Sequence, residues 1–109
     1  MSEKKPINIT DADFEEKVID SKGISVVDFW APWCGPCHTM APALEAFALA
    51  NEGKLKVNKL DVDDNPKTSE KFQIRSIPTV MFFKDGEAVD THIGAMTESS
   101  LEGRLNDIL

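Results

Sequence analysis

The chain has 109 residues, 41% hydrophobic and 28% charged, enough apolar material for one small domain to bury a core without staples. Acidic residues outnumber basic ones 19 to 12, and the net charge of -7 argues against general affinity for nucleic acid or an anionic membrane, both of which reward clustered Lys and Arg. The start, Met-Ser-Glu-Lys-Lys-Pro, leads into no leader-like or membrane-spanning apolar run, so residues 1–109 are expected to form a single cytoplasmic domain.

Ile7 and Ile9 make a short first strand. Thr10 or Asp11 is the expected N-cap of a first helix, on which Phe14 and Val18 stand four apart. From Ile24 to Trp30 the residues are almost all apolar and often β-branched, the pattern of a strand covered on both faces. A second helix is expected from near Cys34 to about Ala50, with Met40, Ala41, Leu44, Phe47 and Ala48 inward and a kink at Pro42. Leu55, Val57 and Lys59 alternate along a third strand that runs to about Val62. Asp63-Asp64-Asn65-Pro66 opens a short helix to about Phe72.

Thr79 to Phe83 is the next strand, and Asp85-Gly86 predicts a hairpin into a strand from about Ala88 to Ile93, which Gly94 ends. Thr97 caps a last helix with Leu101, Leu105, Ile108 and Leu109 on one stripe. Gly103 lowers its propensity by about 1 kcal/mol, so fraying is expected there. The order βαβαβαββα predicts an α/β fold with a mixed sheet covered by helices on both faces.

The only two cysteines are Cys34 and Cys37, and in a reducing compartment so close a pair reads as catalytic or metal-binding rather than as a staple. They fall where a buried strand ends and a helix begins, the usual place for a site in an open α/β sheet. At i and i+3 on a first helical turn they share a side and can close a disulfide with little movement. Pro36 fits a turn whose N–H groups have no helical partner, and those donors, with the helix dipole, stabilise a thiolate at Cys34. Cys34 at the tip is therefore expected to be the more exposed nucleophile, and Cys37 the shielded thiol that resolves the mixed disulfide.

Asp28 and Lys59 each fall among apolar neighbours on a strand face, Asp28 with Val26 and Trp30, Lys59 with Leu55 and Val57. Isolated buried charges are costly, so the two are expected to lessen that cost by pairing across neighbouring strands. Burial raises the Asp28 pKa and a nearby Lys lowers it, which suits a general base for Cys37.

Trp33-Cys34-Gly35-Pro36-Cys37, with Asp28-Phe29-Trp30-Ala31 before it and Pro42, Lys59, Ile77-Pro78-Thr79 and Gly94 after it, resembles the thioredoxin family over essentially the whole chain. The resemblance implies the thioredoxin fold, a central mixed five-stranded sheet flanked by four helices. It implies a monomeric thiol–disulfide oxidoreductase that reduces protein disulfides and is recharged by a thioredoxin reductase. No cofactor or metal is implied beyond the Cys34–Cys37 redox couple. The resemblance also implies that Asp28 takes the base role with Lys59 modulating it, and that Pro78 is cis beside the disulfide. Trp33, Gly35, Pro36, Ile77, Pro78, Gly94 and Ala95 form the substrate-docking surface, with the backbone at Ile77 pairing with extended substrate.

His38 departs from the Lys or Arg common in the family and creates a formal CxxCH haem-attachment pattern, with Met40, Met81 and Met96 as conceivable axial partners. Cys34, Cys37, His38 and His92 offer four zinc-type ligands but no convincing spacing. The better reading is redox tuning: a protonated His38 favours the Cys34 thiolate, with effect between about pH 6 and 8. Ser76 and Pro32 are further departures beside the site. The rival readings are an oxidase or isomerase on the same fold, and a binding module with incidental cysteines. The Gly-Pro dipeptide between the cysteines favours the reductase.

Overall fold

A computed structural model describes residues 5–109, and the leader-free reading of residues 1–4 lies outside them. Five strands, β1 (Ile7–Asn8), β2 (Ile24–Trp30), β3 (Leu55–Asp61), β4 (Thr79–Lys84) and β5 (Glu87–Ile93), form one sheet in the order β1-β3-β2-β4-β5. β1, β3 and β2 run parallel, β4 is antiparallel to β2, and β5 is antiparallel to β4. Helical elements are a π-type turn (Glu15–Ile19), α1 (Gly35–Ala50), α2 (Pro66–Lys71) and α3 (Glu98–Ile108). This is the expected mixed sheet with four helical elements.

β2 is central in the sheet and is covered by a packed layer on each face, which is why its sequence is apolar on both faces. Val26 faces a cluster with Met40, Leu44 and Phe47 of α1 and Leu101 and Leu105 of α3. Val27 and Phe29 face the opposite layer, with Phe14, Val18, Leu60 and Met81. Burying a side chain of this size is worth roughly 1.5–3 kcal/mol, so these two layers fix the plane in which β2 delivers its last residues. α1 is continuous through Pro42, whose missing N–H leaves the His38 carbonyl without its usual donor.

The first helix departs from expectation. Neither Thr10 nor Asp11 caps it: the π-type turn starts after Phe14 with no side-chain cap. Asp13 instead accepts from the Thr10 N–H at 2.6 Å. Asp11 crosses to α2, where its carboxylate accepts from the N–H of Lys67 (3.1 Å), the N–H of Thr68 (2.8 Å) and the Thr68 hydroxyl (2.6 Å). Burial alone raises this carboxyl, but the bonds from Thr68 and Lys67 and the Lys67 charge outweigh it and hold the group below the usual carboxylate range.

The Asp85-Gly86 hairpin forms as expected, with both residues at positive φ. Glycine is required at 86 for a second reason, because a Cβ there collides with the Ile19 carbonyl. Thr97 caps α3, accepting from the Ser100 N–H at 3.0 Å in a reciprocal capping box. Leu101 and Leu105 are buried, Ile108 is half-buried, and Leu109 lies outside the stripe and is exposed.

Candidate active site

β2 ends at Trp30, whose carbonyl accepts from the Val62 N–H at 2.9 Å, and the chain turns so that the Cys34 N–H reaches the Ala31 carbonyl at 3.1 Å. That turn puts Cys34 in the N-cap position of α1 with extended backbone (φ -86, ψ 108). Its sulfur accepts the Cys37 N–H at 3.2 Å, one of the donors that a helix start leaves without a carbonyl. Cys34 and Cys37 are joined by a disulfide with their Cα atoms 5.3 Å apart. Gly35 and Pro36, on the same first turn, are exposed.

The expected difference in exposure between the cysteines is absent. Cys34 is 3% exposed and Cys37 4%, because both pack with Ala31 under Trp30, Val62 and Ile77. Environment distinguishes them instead: Cys34 stands outside the helix and receives an N–H, whereas Cys37 lies within it and supplies that N–H. Fixed donors aimed at a sulfur stabilise negative charge on it.

Several other expected residues converge here. The Ile77–Pro78 peptide is cis, Ile77 packs on the cysteine cluster, and the Pro78 carbonyl accepts from the Gly94 N–H at 2.8 Å. Ala95 follows Gly94 and is exposed. Trp33 is 70% exposed, and its Nε1–H donates to Asp63 at 2.7 Å. Asp63 opens the segment that leads to α2, and nothing in its local pattern signals the reach back to Trp33. Ile93, at the end of β5 beside Gly94, is 67% exposed. Its signal is an exposed apolar residue at the end of an edge strand, next to Gly94.

Asp28 is buried, and its Oδ1 has no hydrogen-bond partner. Desolvation pushes its pKa up to about 7, against the pull of the Lys59 charge. Asp28 and Lys59 are register partners on β2 and β3, but they do not form the expected ion pair. The Lys59 Nζ lies 4.1 Å from the centre of the Trp30 ring, so its charge rests on an aromatic face and reaches Asp28 only through space.

His38 is exposed, with Nε2 2.6 Å from the Pro32 carbonyl and its ring edge-on to Trp30. A carbonyl only accepts, so Nε2 carries a proton and Nδ1 is the nitrogen free to take another. The four zinc-type ligands are not brought together: the sulfurs bond each other, and His92, on β5, accepts from Arg104 at 3.0 Å. Among the described residues no group of three or more His, Cys, Asp or Glu side chains converges. The haem reading also fails on placement, because Met81 is buried on the opposite side of the sheet from Met40 and Met96.

A family model described as Thioredoxin matches residues 5–107. Over 98 residues the chain is 51% identical to a thioredoxin of Porphyra purpurea, covering 90% of this chain and 92% of that one. It is 48% identical over 101 residues to a thioredoxin of Synechocystis sp., covering 93% and 94%. A thioredoxin of Staphylococcus aureus is 50% identical over 95 residues, covering 87% and 89%.

Proposed function

The chain belongs to the thioredoxin family and is a thiol–disulfide oxidoreductase, and on that footing we propose how it reduces protein disulfides. The observation that carries the reading is the Cys34–Cys37 disulfide at the start of α1, with a backbone N–H held on the Cys34 sulfur.

In the reduced protein, the Cys34 thiolate attacks one sulfur of a substrate disulfide. A bond forms between Cys34 and that sulfur, the substrate S–S bond breaks, and the other substrate sulfur leaves as a thiolate that takes a proton from water. Asp28 then accepts the Cys37 proton, and the Cys37 thiolate attacks the Cys34 sulfur. The internal disulfide closes, the second substrate thiolate leaves, and two electrons have passed from the dithiol to the substrate. The Lys59 charge, held on Trp30, keeps the Asp28 carboxyl from rising further and so keeps a usable fraction ionised.

Trp33, Gly35, Pro36, Ile77, Pro78, Gly94 and Ala95 dock the substrate, with extended chain laid along the backbone at Ile77. The exposure of Trp33 and its tether to Asp63 support that role, as do the cis bend at Pro78 and its bond to Gly94. A thioredoxin reductase returns the disulfide to the dithiol, and the protein works as a monomer in the cytoplasm.

Insulin reduction driven by dithiothreitol tests the order of attack. Cys34→Ser is expected to lose the rate, whereas Cys37→Ser is expected to accumulate a mixed disulfide at Cys34. A Cys34→Ser protein that still reduced insulin at the parent rate would overturn the proposal.

A further inference from the structure

At the amino ends of β2 and β3 the structure holds a cavity of about 460 Å³, lined by Lys5, Lys17, Lys22, Lys54 and Lys56, with no acidic residue in its wall among the described residues. These lysines come from four separate parts of the chain: the start of β1, the π-type turn, the entry to β2 and the entry to β3. The fold therefore gathers five of the twelve basic residues of an acidic protein around one concavity. The one ion pair among the described residues is Arg104–Asp90, so none of the five has a carboxylate of a described residue within 4.0 Å. Like charges so arranged repel one another, and an anion placed between them relieves that repulsion.

The disulfide lies past the other end of β2, six residues and roughly 20 Å along the strand at ~3.3 Å per residue, so this cavity is no part of the docking surface. Its volume falls in the range of small-ligand pockets, roughly 300–1,000 Å³. A single exposed lysine contributes little to holding an ion, so only an anion that meets several at once is retained. Lysine binds phosphate as a point charge, whereas the planar fork that suits carboxylates belongs to arginine, and no arginine lines the wall. The five lysines share one concavity with the buried residues Ile24 and Val57, and a hollow of this volume suits a compact anion better than an extended polymer. We propose that this cavity binds a small polyphosphate, such as a chain of inorganic phosphates or the phosphate tail of a nucleotide.

Titration of the 15N-labelled full chain with sodium tripolyphosphate at about 10 mM ionic strength, where screening is weak, tests this by NMR. Saturable shifts are expected for amides at Lys22–Ile24 and Gly53–Asn58, and the affinity is expected to fall at least about tenfold near 0.15 M salt. Lys17→Glu combined with Lys56→Glu should abolish the saturation, and the milder Lys17→Gln with Lys56→Gln should weaken it. Lys71→Glu, away from the cavity, should leave it intact. ATP without magnesium, run in parallel, separates the sources: equal affinity assigns the site to phosphate alone, tighter binding to a nucleotide. Shifts spread evenly over Lys59, Lys67, Lys71 and Lys84, or saturation untouched by charge reversal, would overturn the inference.

Discussion

Asp28 and Lys59 stand opposite each other on adjacent parallel strands, yet the lysine ammonium rests on the Trp30 ring, and one oxygen of the aspartate bonds to nothing. The pairing expected of two opposite charges in a core is thus only partial. A hydrogen-bonded ion pair favours the carboxylate, whereas burial without partners favours the acid. Burial wins here, and it leaves a proton-accepting group near neutrality in the core.

Stability should therefore depend on pH through Asp28. Between the ordinary value of 3.8 and about 7, the folded chain keeps a proton that the unfolded chain has released. Stability from this group is complete below the lower value, falls as pH rises through the folded value, and is flat beyond it. The loss is roughly 4 kcal/mol, at ~1.4 kcal/mol per pKa unit. Asp28→Asn should match the parent near pH 4 and exceed it by a few kcal/mol near pH 8. Urea unfolding of the oxidised protein at both pH values measures this, and parallel curves would contradict it.

The same substitution separates structure from chemistry. If Asp28 accepts the Cys37 proton, release of substrate from the mixed disulfide should accelerate as pH rises through about 7. Asp28→Asn should slow that step by about 10²-fold, a common size for general-base loss, and flatten the rise. Stopped-flow measurement on a chromogenic disulfide resolves this step from the first attack by Cys34, whose rate should not change.

Asp11 offers a prediction of a different kind, because its partners lie more than fifty residues away. By satisfying N–H groups at Lys67 and Thr68 it ties the segment after β1 to the start of α2. Asp11→Ala should cost about 1 kcal/mol, the usual loss for an N-terminal cap, and should expose α2 amides to faster hydrogen exchange. Because the folded carboxyl is held low, the stabilisation is present above the ordinary carboxylate range and is lost as pH falls through the lowered value. Equal exchange rates in α2 of the variant and the parent would show that Asn65 and Pro66 start the helix unaided.

The long-range capping by Asp11 also shows where sequence reading stops. Strand β2, helix α1 and the Asp85-Gly86 turn were legible because each rests on local pattern: a two-faced apolar run, a 3.6-residue stripe and a required positive φ. The cysteine pair was legible because its spacing and helix start are local as well. Asp11 on Thr68, Asp63 on Trp33 and Lys59 on Trp30 are contacts between separate elements, and a side chain able to satisfy several partners does not declare its choice in its own neighbourhood. The near-equal burial of Cys34 and Cys37 was missed for the same reason, since Ile77 and Val62 cover them from elsewhere in the chain.

His38 combines the two kinds of signal, a local departure in sequence and a contact that only the fold reveals. Its Nε2 holds the Pro32 carbonyl, so it can steady the turn into Cys34 without any charge. A charge gained at Nδ1 would in addition favour the Cys34 thiolate and raise the reduction potential. Glutamine can donate to Pro32 but cannot become charged, and alanine can do neither. His38→Gln should therefore keep the parent rate of disulfide exchange while its potential falls by up to about 30 mV, the equivalent of one thiol pKa unit. His38→Ala should show the same change in potential and a slower exchange as well, because the turn is no longer held. Potentials measured against a glutathione series, beside insulin-reduction rates, separate the roles. Identical potentials for all three proteins would reduce His38 to its contact with Pro32.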